Sequence, residues 1–283
     1  MDPIKFCRNI LSFTLIISSS CGIHNYSDSP IENRKIEKGN VLCVFAHQDD
    51  DAFIISRLKS HFDSGDSIVV VYTTFFSHNR EKYSRKRISE SKKALEAIHV
   101  STPIFWDYPD TKTYNYVNEI ISRLDSIITA YKPKVIYVPA YEGGNIDHDV
   151  ANFCVAHLPD NSAKIYEFPL YSAYKTFLLP FVHRNFPRTI GTEVYLLDKS
   201  QYQFVKEYWG NYHSQKLRFE LYLRIVSSIK HVFGYEYIRE LPHYNYQEHP
   251  PAKNIAYKRY TKARFSDFEN GIKKLTLHQV LIK

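Results

Sequence analysis

The sequence predicts an α/β protein, a doubly wound three-layer α/β/α sandwich on a mostly parallel sheet, with a loop-rich C-terminal region. Three observations carry this. Short, wholly apolar runs recur at Val41–Phe45, Ile68–Tyr72 and Val135–Val138, as expected of strands buried on both faces. Stretches with helical periodicity separate them, which implies right-handed parallel crossovers. A polar cluster stands directly behind the first run and a second follows the third, at the strand ends where open α/β sheets place their chemistry.

Taken in order, the strand at Val41 leads into a helix expected over Ala52–Phe62, where Ile54, Leu58 and Phe62 are spaced by four. Gly65 and Asp66 turn the chain into the strand at Ile68. A second helix is expected over Arg85–Ile98, with Ile88, Ala94, Leu95 and Ile98 as its apolar stripe. Ile104-Phe105-Trp106 reads as a short strand. The helix over Tyr116–Ala130 is strongly patterned by Val117, Ile120, Ile121, Leu124, Ile127 and Ile128. Lys134–Pro139 is the strand before the second polar cluster, and a helix then runs through Val155. Lys164–Phe168 and Val194–Leu197 look strand-like; Tyr202–Tyr212 and Leu217–Ile229 look helical. Pro169, Pro180, Pro187, Pro242, Pro250 and Pro251 interrupt the remainder. The order of the strands is not readable from the sequence.

The N-terminus has a different character. Lys5 and Arg8 precede the mostly apolar Asn9–Ile17, and small residues follow in Ser18-Ser19-Ser20-Cys21-Gly22. This is the pattern of a secretory signal, too short for a stable membrane-spanning helix. Residues 1–21 are expected to be a signal peptide or lipoprotein leader, with Cys21 as a candidate lipidated residue, and 22–38 a linker. Residues 39–283 then form a single α/β domain. The expected location is periplasmic, cell-surface or anchored to a membrane by lipid, with secretion as the alternative. The four cysteines, Cys7, Cys21, Cys43 and Cys154, do not make a disulfide framework. The formal net charge of +7 reflects, in part, Lys253, Lys258, Arg259, Lys262, Arg264, Lys273 and Lys274. Tyr257 and Tyr260 are interleaved with them, but no nucleic-acid-binding motif accompanies the cluster. A solvated basic surface is the expectation, with an anionic membrane or glycan as the partner it would suit and no nucleic acid.

The chemistry sits in Ala46-His47-Gln48-Asp49-Asp50-Asp51 and Asn145-Ile146-Asp147-His148-Asp149. If the strands before them are neighbours, His47, Asp50 and His148 can complete one face of a catalytic zinc site. Magnesium or calcium would favour oxygen ligands and has no use for two imidazoles. Asp49, between two ligands, is then available to take the proton of a water at the metal. By itself the aspartate run would serve equally as an acidic cap on the next helix, and Asp51 is the member best suited to that role alone.

These residues resemble a known family. Ala46–Asp51 looks like the Ala-His-Pro-Asp-Asp-Glu signature of the PIG-L/LmbE-like N-acetylglucosaminyl deacetylases, and Tyr141–Asp149 looks like their second signature, a glycine followed by His-Pro-Asp-His. Gly65–Thr74, the Arg87/Glu90/Ala94 spacing and the stretch Trp106–Asp110 are similar to intervening features. Tyr212-His213-Ser214-Gln215 resembles a Tyr-x-Ser-Gln stretch found late in these enzymes. The resemblance covers roughly Gly39 to Gln215. It implies a Rossmann-like fold, one Zn²⁺ on His47, Asp50 and His148, and Asp49 as general base. Asp147 would support the residue at position 145, and Arg87 would be a substrate-side cation or the buried partner of a carboxylate. Failing both, Arg87 would form an ordinary surface pair with Glu90.

The implied reaction is hydrolysis of the N-acetyl group of an N-acetylglucosamine-type sugar in a glycan, glycolipid or glycoconjugate. Asn145 departs from the family, which carries a histidine there as oxyanion stabiliser and acid. An asparagine amide can donate to an oxyanion but cannot act as an acid. This departure keeps open a non-catalytic glycan-binding protein of the same fold. A hydrolase of another amide or carbamate would use the same metal geometry. His157, nine positions beyond His148, is expected to face away from the site, and His213 is a lesser candidate to enter it.

Overall fold

The computed structural model describes residues 39–75, 81–100, 102–159, 162–170, 186, 191–216, 235–251, 255–257 and 262–281. The leader and linker expected before residue 39, and the helix expected over Leu217–Ile229, lie outside these residues.

Seven strands form one sheet in the order β3-β2-β1-β4-β5-β7-β6. They are β1 (Val41–Phe45), β2 (Ile68–Phe75), β3 (Ile104–Pro109), β4 (Val135–Pro139), β5 (Lys164–Phe168), β6 (Thr192–Leu196) and β7 (Tyr235–Glu240). The first five run parallel, and β7 lies antiparallel between β5 and β6. The decisive pairing is β1 with β4, in register from Val41↔Val135 to Cys43↔Tyr137. Chain progression reverses between these two strands, so a crevice opens at their C-terminal ends, the usual ligand position in such sheets.

Alternate residues of the central strands feed two cores. Val41, Cys43, Phe45, Val70, Tyr72 and Tyr137 face α1 (Ile55–Asp63), α2 (Glu81–Leu95) and α5 (Lys199–Trp209) through Leu58, Ala94, Leu95, Val205, Tyr208 and Trp209. Leu42, Val44, Val71, Ile136 and Val138 face α3 (Val117–Tyr131), α4 (Ile146–Ala156) and α6 (Phe265–Leu281). The three layers follow from this period-two alternation under two helical coats. No described helix is long and apolar enough to cross a membrane.

Local chemistry sets the boundaries. The helix expected from Ala52 is divided, with a 3₁₀ turn at Asp50–Phe53 preceding α1, because the aspartates there are engaged by side-chain contacts. Ile54 offers α1 no side-chain cap. Instead the Glu236 carboxylate on β7 accepts the N–H groups of Ser56 (2.8 Å) and Arg57 (2.9 Å). An anion placed there satisfies two of the donors a helix start leaves open. The second helix begins at Glu81 and ends in a 3₁₀ turn at Glu96–Ile98. Asp198 caps α5 in a reciprocal box with Gln201.

Strand β7 and helix α6 are additional to the elements read from the sequence. On α6, Phe265, Phe268, Ile272 and Leu275 are buried against the second core. Gly271 on the same helix lies so close to the 3₁₀ turn Thr113–Asn115 that an added Cβ would stand 2.3 Å from the Tyr114 carbonyl oxygen. Alanine would gain about 1 kcal/mol in helix propensity. Crowding into backbone costs roughly 1–3 kcal/mol. Gly271→Ala is therefore expected to lower the thermal unfolding midpoint by a few degrees. An unchanged or raised midpoint would show that α6 can shift away from Tyr114.

Candidate metal centre

His47 leaves the end of β1, Asp50 follows in the 3₁₀ turn, and His148 occupies the first turn of α4 behind β4. All three are buried. His47 Nδ1 lies 3.0 Å from His148 Nε2, and His148 Nε2 lies 3.3 Å from Asp50 Oδ1. Asp50 Oδ2 stands 3.8 Å from His47 Nδ1 and accepts the N–H groups of Ala46 (3.0 Å) and His47 (2.9 Å). Those two backbone donors fix the carboxylate's orientation. Burial opposes its charge, but the two imidazoles and the backbone donor outweigh burial and hold its pKa down at about 2.

The donor set fits a metal. One ligand atom from each of His47, Asp50 and His148 lies within 4.8 Å of the others. Tetrahedral zinc with bonds of about 2.0–2.1 Å separates its ligand atoms by roughly 3.3 Å. Two imidazole nitrogens and a carboxylate oxygen converging at that spacing, out of water, suit one Zn²⁺ with a position left for water or substrate.

The second nitrogen of His47 is held from behind. Nε2 lies 3.0 Å from Asp110 Oδ1 and 3.6 Å from Asp147 Oδ2. Burial works against the His47 cation, yet these carboxylates and Asp50 outweigh it and raise its pKa. Asp147 is engaged elsewhere too. It accepts the N–H of Thr111 at 2.6 Å, the N–H of Thr113 at 3.2 Å and the Thr113 hydroxyl at 2.5 Å. Thr111 adopts a left-handed φ of 66°, uncommon for a β-branched residue, as it delivers its N–H. His47, Asp110 and Asp147 form a second possible metal grouping. The donors on Asp147, and the hydrogen-bond distance from His47 Nε2 to Asp110, suit this set to supporting the first. With Nε2 protonated, the Nδ1 lone pair faces the metal position. The sequence reading marked an aspartate at the end of Trp106–Asp110 but gave Asp110 no role.

Asp49 is buried and receives a hydrogen bond from Arg87 Nη2. Arg87 is thus the buried partner of a carboxylate and not half of a surface pair. Glu90 is taken instead by Ser214, through its N–H (2.9 Å) and hydroxyl (2.5 Å). Gln48, standing where the family signature has proline, donates to the Thr74 carbonyl at 2.5 Å. Asp51 accepts three tyrosine hydroxyls, from Tyr72 (2.8 Å), Tyr212 (2.5 Å) and Tyr208. Burial pushes its carboxyl up to about 6, against those three hydroxyls, which favour the anion. Asn145 is half-buried as the N-cap of α4, where its Oδ1 accepts the Asp147 N–H at 2.8 Å. His157 ends α4 stacked on Phe153, with Nδ1 2.8 Å from the Phe153 carbonyl oxygen, and His213 is exposed.

Residues 42–158 match the family model described as GlcNAc-PI de-N-acetylase. This stretch is similar to the PIG-L/LmbE-like deacetylases. Solved structures share the fold. A deacetylase of the teicoplanin biosynthesis pathway aligns with a TM-score of 0.56 at 14% identity, over 71% of this chain and 96% of that one. The A40926 pseudoaglycone deacetylase Dbv21 gives 0.54 at 14%, over 71% and 96%. The conserved protein TT1542 from Thermus thermophilus gives 0.51 at 12%, over 79% and 99%. No curated protein is a significant sequence match. The PIG-L stretch contains the three metal-ligand candidates, Asp49, Arg87 and Asp110, whereas Tyr208, Tyr212 and Ser214 lie beyond it.

Removing a carboxylate that orients a ligating imidazole typically lowers metal affinity about 10–100-fold. Asp110→Ala is expected to weaken zinc binding by that amount in chelator competition, and His148→Ala to abolish stoichiometric zinc. Parent-like affinity in Asp110→Ala would remove Asp110 from the support of His47.

Proposed function

We propose that this chain hydrolyses the N-acetyl group of an N-acetylglucosamine-type sugar carried by a glycan, glycolipid or related glycoconjugate, releasing acetate and a free amine. The observation that carries the reading is Asp49: a buried carboxylate between two ligand candidates, outside both possible metal groupings and oriented by Arg87. A site that only bound metal or sugar has no need of it.

Bound Zn²⁺ would supply Lewis acidity toward the acyl oxygen and a lowered pKa for water. The chain's own residues do the rest. Asp49 accepts the proton of the attacking water, and the Arg87 guanidinium holds it in place. Asn145 has its Oδ1 committed to the helix start, so its Nδ2 is the group it offers to the oxyanion. Asp49 then returns the proton to the nitrogen as the C–N bond breaks. Asp147 acts through its neighbours, holding Thr111, Thr113 and the far side of His47. The asparagine favours one second reading, a glycan-binding protein of the same fold, because an amide cannot protonate a leaving amine. Hydrolysis of another amide or carbamate would use the same residues.

Purified protein, with and without added Zn²⁺, offered a panel of N-acetylated sugars and glycolipids is expected to release acetate and primary amine in equal amounts. Asp49→Asn should keep its zinc and lose most turnover. Asn145→Ala should lower kcat/KM by roughly 10²–10³ at unchanged zinc. Asn145→His, which restores an acid, should raise the rate. Zinc-loaded parent without turnover, switched on by Asn145→His, identifies the binder. Full turnover in Asp49→Asn would place the base elsewhere.

The leader-like pattern of residues 1–21 supports export, with Cys21 as the lipid-bearing residue of a membrane-anchored form. The mature protein is then expected to begin at Cys21 with the added mass of a lipid. An intact, unmodified N-terminus in the native host would refute this.

A further inference from the structure

We infer that the turn Tyr212-His213-Ser214-Gln215 positions the Asp49–Arg87 pair, so that Ser214, Gln215, Glu90 and Tyr83 are positioning residues for the base. The inference rests on the role proposed for Asp49, but its contacts do not. Three residues of α2 share one face, because Tyr83, Arg87 and Glu90 follow the spacing i, i+4, i+7. The outer two are gripped by the turn. Gln215 Nε2 donates to the Tyr83 hydroxyl at 2.7 Å, and Ser214 gives its N–H and hydroxyl to separate oxygens of Glu90, at 2.9 and 2.5 Å. Between these two anchors the Arg87 guanidinium lies 6.0 Å from the Tyr83 ring and donates to Asp49.

The same segment also holds the other half of the pair. Tyr208 and Tyr212 donate to Asp51, two residues beyond Asp49, and Trp209 Nε1 donates to the Ala52 carbonyl at 2.7 Å. Base and guanidinium therefore stand on two elements, the turn after β1 and helix α2, that meet a common brace at residues 208–215. The brace is buried at Tyr208, Trp209, Tyr212 and Gln215, where its bonds are shielded from competing water. Displacing a catalytic group by about 1 Å can cost on the order of 10²-fold in rate, so a brace on both partners acts on turnover. A segment that merely added stability would have no reason to bind on either side of Arg87.

The test compares zinc-loaded parent with Ser214→Ala, which retains the backbone bond to Glu90, and Tyr83→Phe, which removes the acceptor of Gln215. Each is expected to lower kcat about tenfold, with KM and zinc content unchanged, and Ser214→Thr to restore it. In a double-mutant cycle with Arg87→Lys, the losses should be non-additive, because both changes act on one guanidinium. The Arg87 guanidinium N–H signals in ¹⁵N-labelled protein should be sharp and slowly exchanging in the parent and broadened in both variants. An unchanged kcat, additive losses or an unaltered Arg87 signal would overturn the inference. If the parent hydrolyses nothing, the proposed function fails, and the Arg87 signal alone still decides whether the turn braces it.

Discussion

The parallel pairing of β1 with β4 is the constraint on which the site depends. Each strand ends in a polar turn, and the chain leaves the two strands toward opposite faces of the sheet. A register shift of one residue would exchange the faces of every side chain on a strand, sending Val44 and Ile136 into the wrong core. The apolar alternation that fills both cores therefore also fixes how far apart the two turns stand. His47 and His148, 101 positions apart in the chain, meet at 3.0 Å because the hydrophobic layers beneath them permit one alignment.

That alignment concentrates negative charge out of water, a costly arrangement unless each group is met. Asp50 has two backbone N–H groups, Asp51 three tyrosine hydroxyls, Asp147 a threonine hydroxyl and two N–H groups, and Asp49 a guanidinium. Asp149 has Tyr257 and the N–H groups of Glu142 and Gly143, yet burial still pushes its carboxyl up to about 8. Glu167, farther along the sheet, is met by Arg239 and Tyr244, each at 2.7 Å. Every one of these buried carboxylates is thus met by hydrogen-bond donors, neutral or cationic, drawn from several elements.

What was legible in the sequence follows from this dispersal. Strands β1, β2 and β4 are continuous apolar runs and announce themselves. Strand β7 carries buried Glu236 and Arg239, which break the apolar pattern, and its identity depends on contacts with α1 and β5. The stripe Phe265, Phe268, Ile272 and Leu275 was present but lay among lysines and arginines that read as a solvated surface. His47, Asp50 and His148 could be grouped because each belongs to a polar cluster that follows a readable strand. Asp110 could not be assigned, since its meaning comes from an imidazole 63 positions earlier. Two of the three tyrosines on Asp51 lie 157 and 161 positions beyond it, and no local pattern encodes such a contact.

Glu236 on the start of α1 has a consequence for the order in which the molecule can be completed. The turn carrying His47, Asp49 and Asp50 is translated well before Tyr208, Tyr212 and Glu236, which supply two of the three donors to Asp51 and the carboxylate on α1. Before those residues are in place Asp51 has only the Tyr72 hydroxyl, and α1's first N–H groups are open to water. Completion of the turn beside the candidate metal centre therefore waits on residues remote from it in the chain.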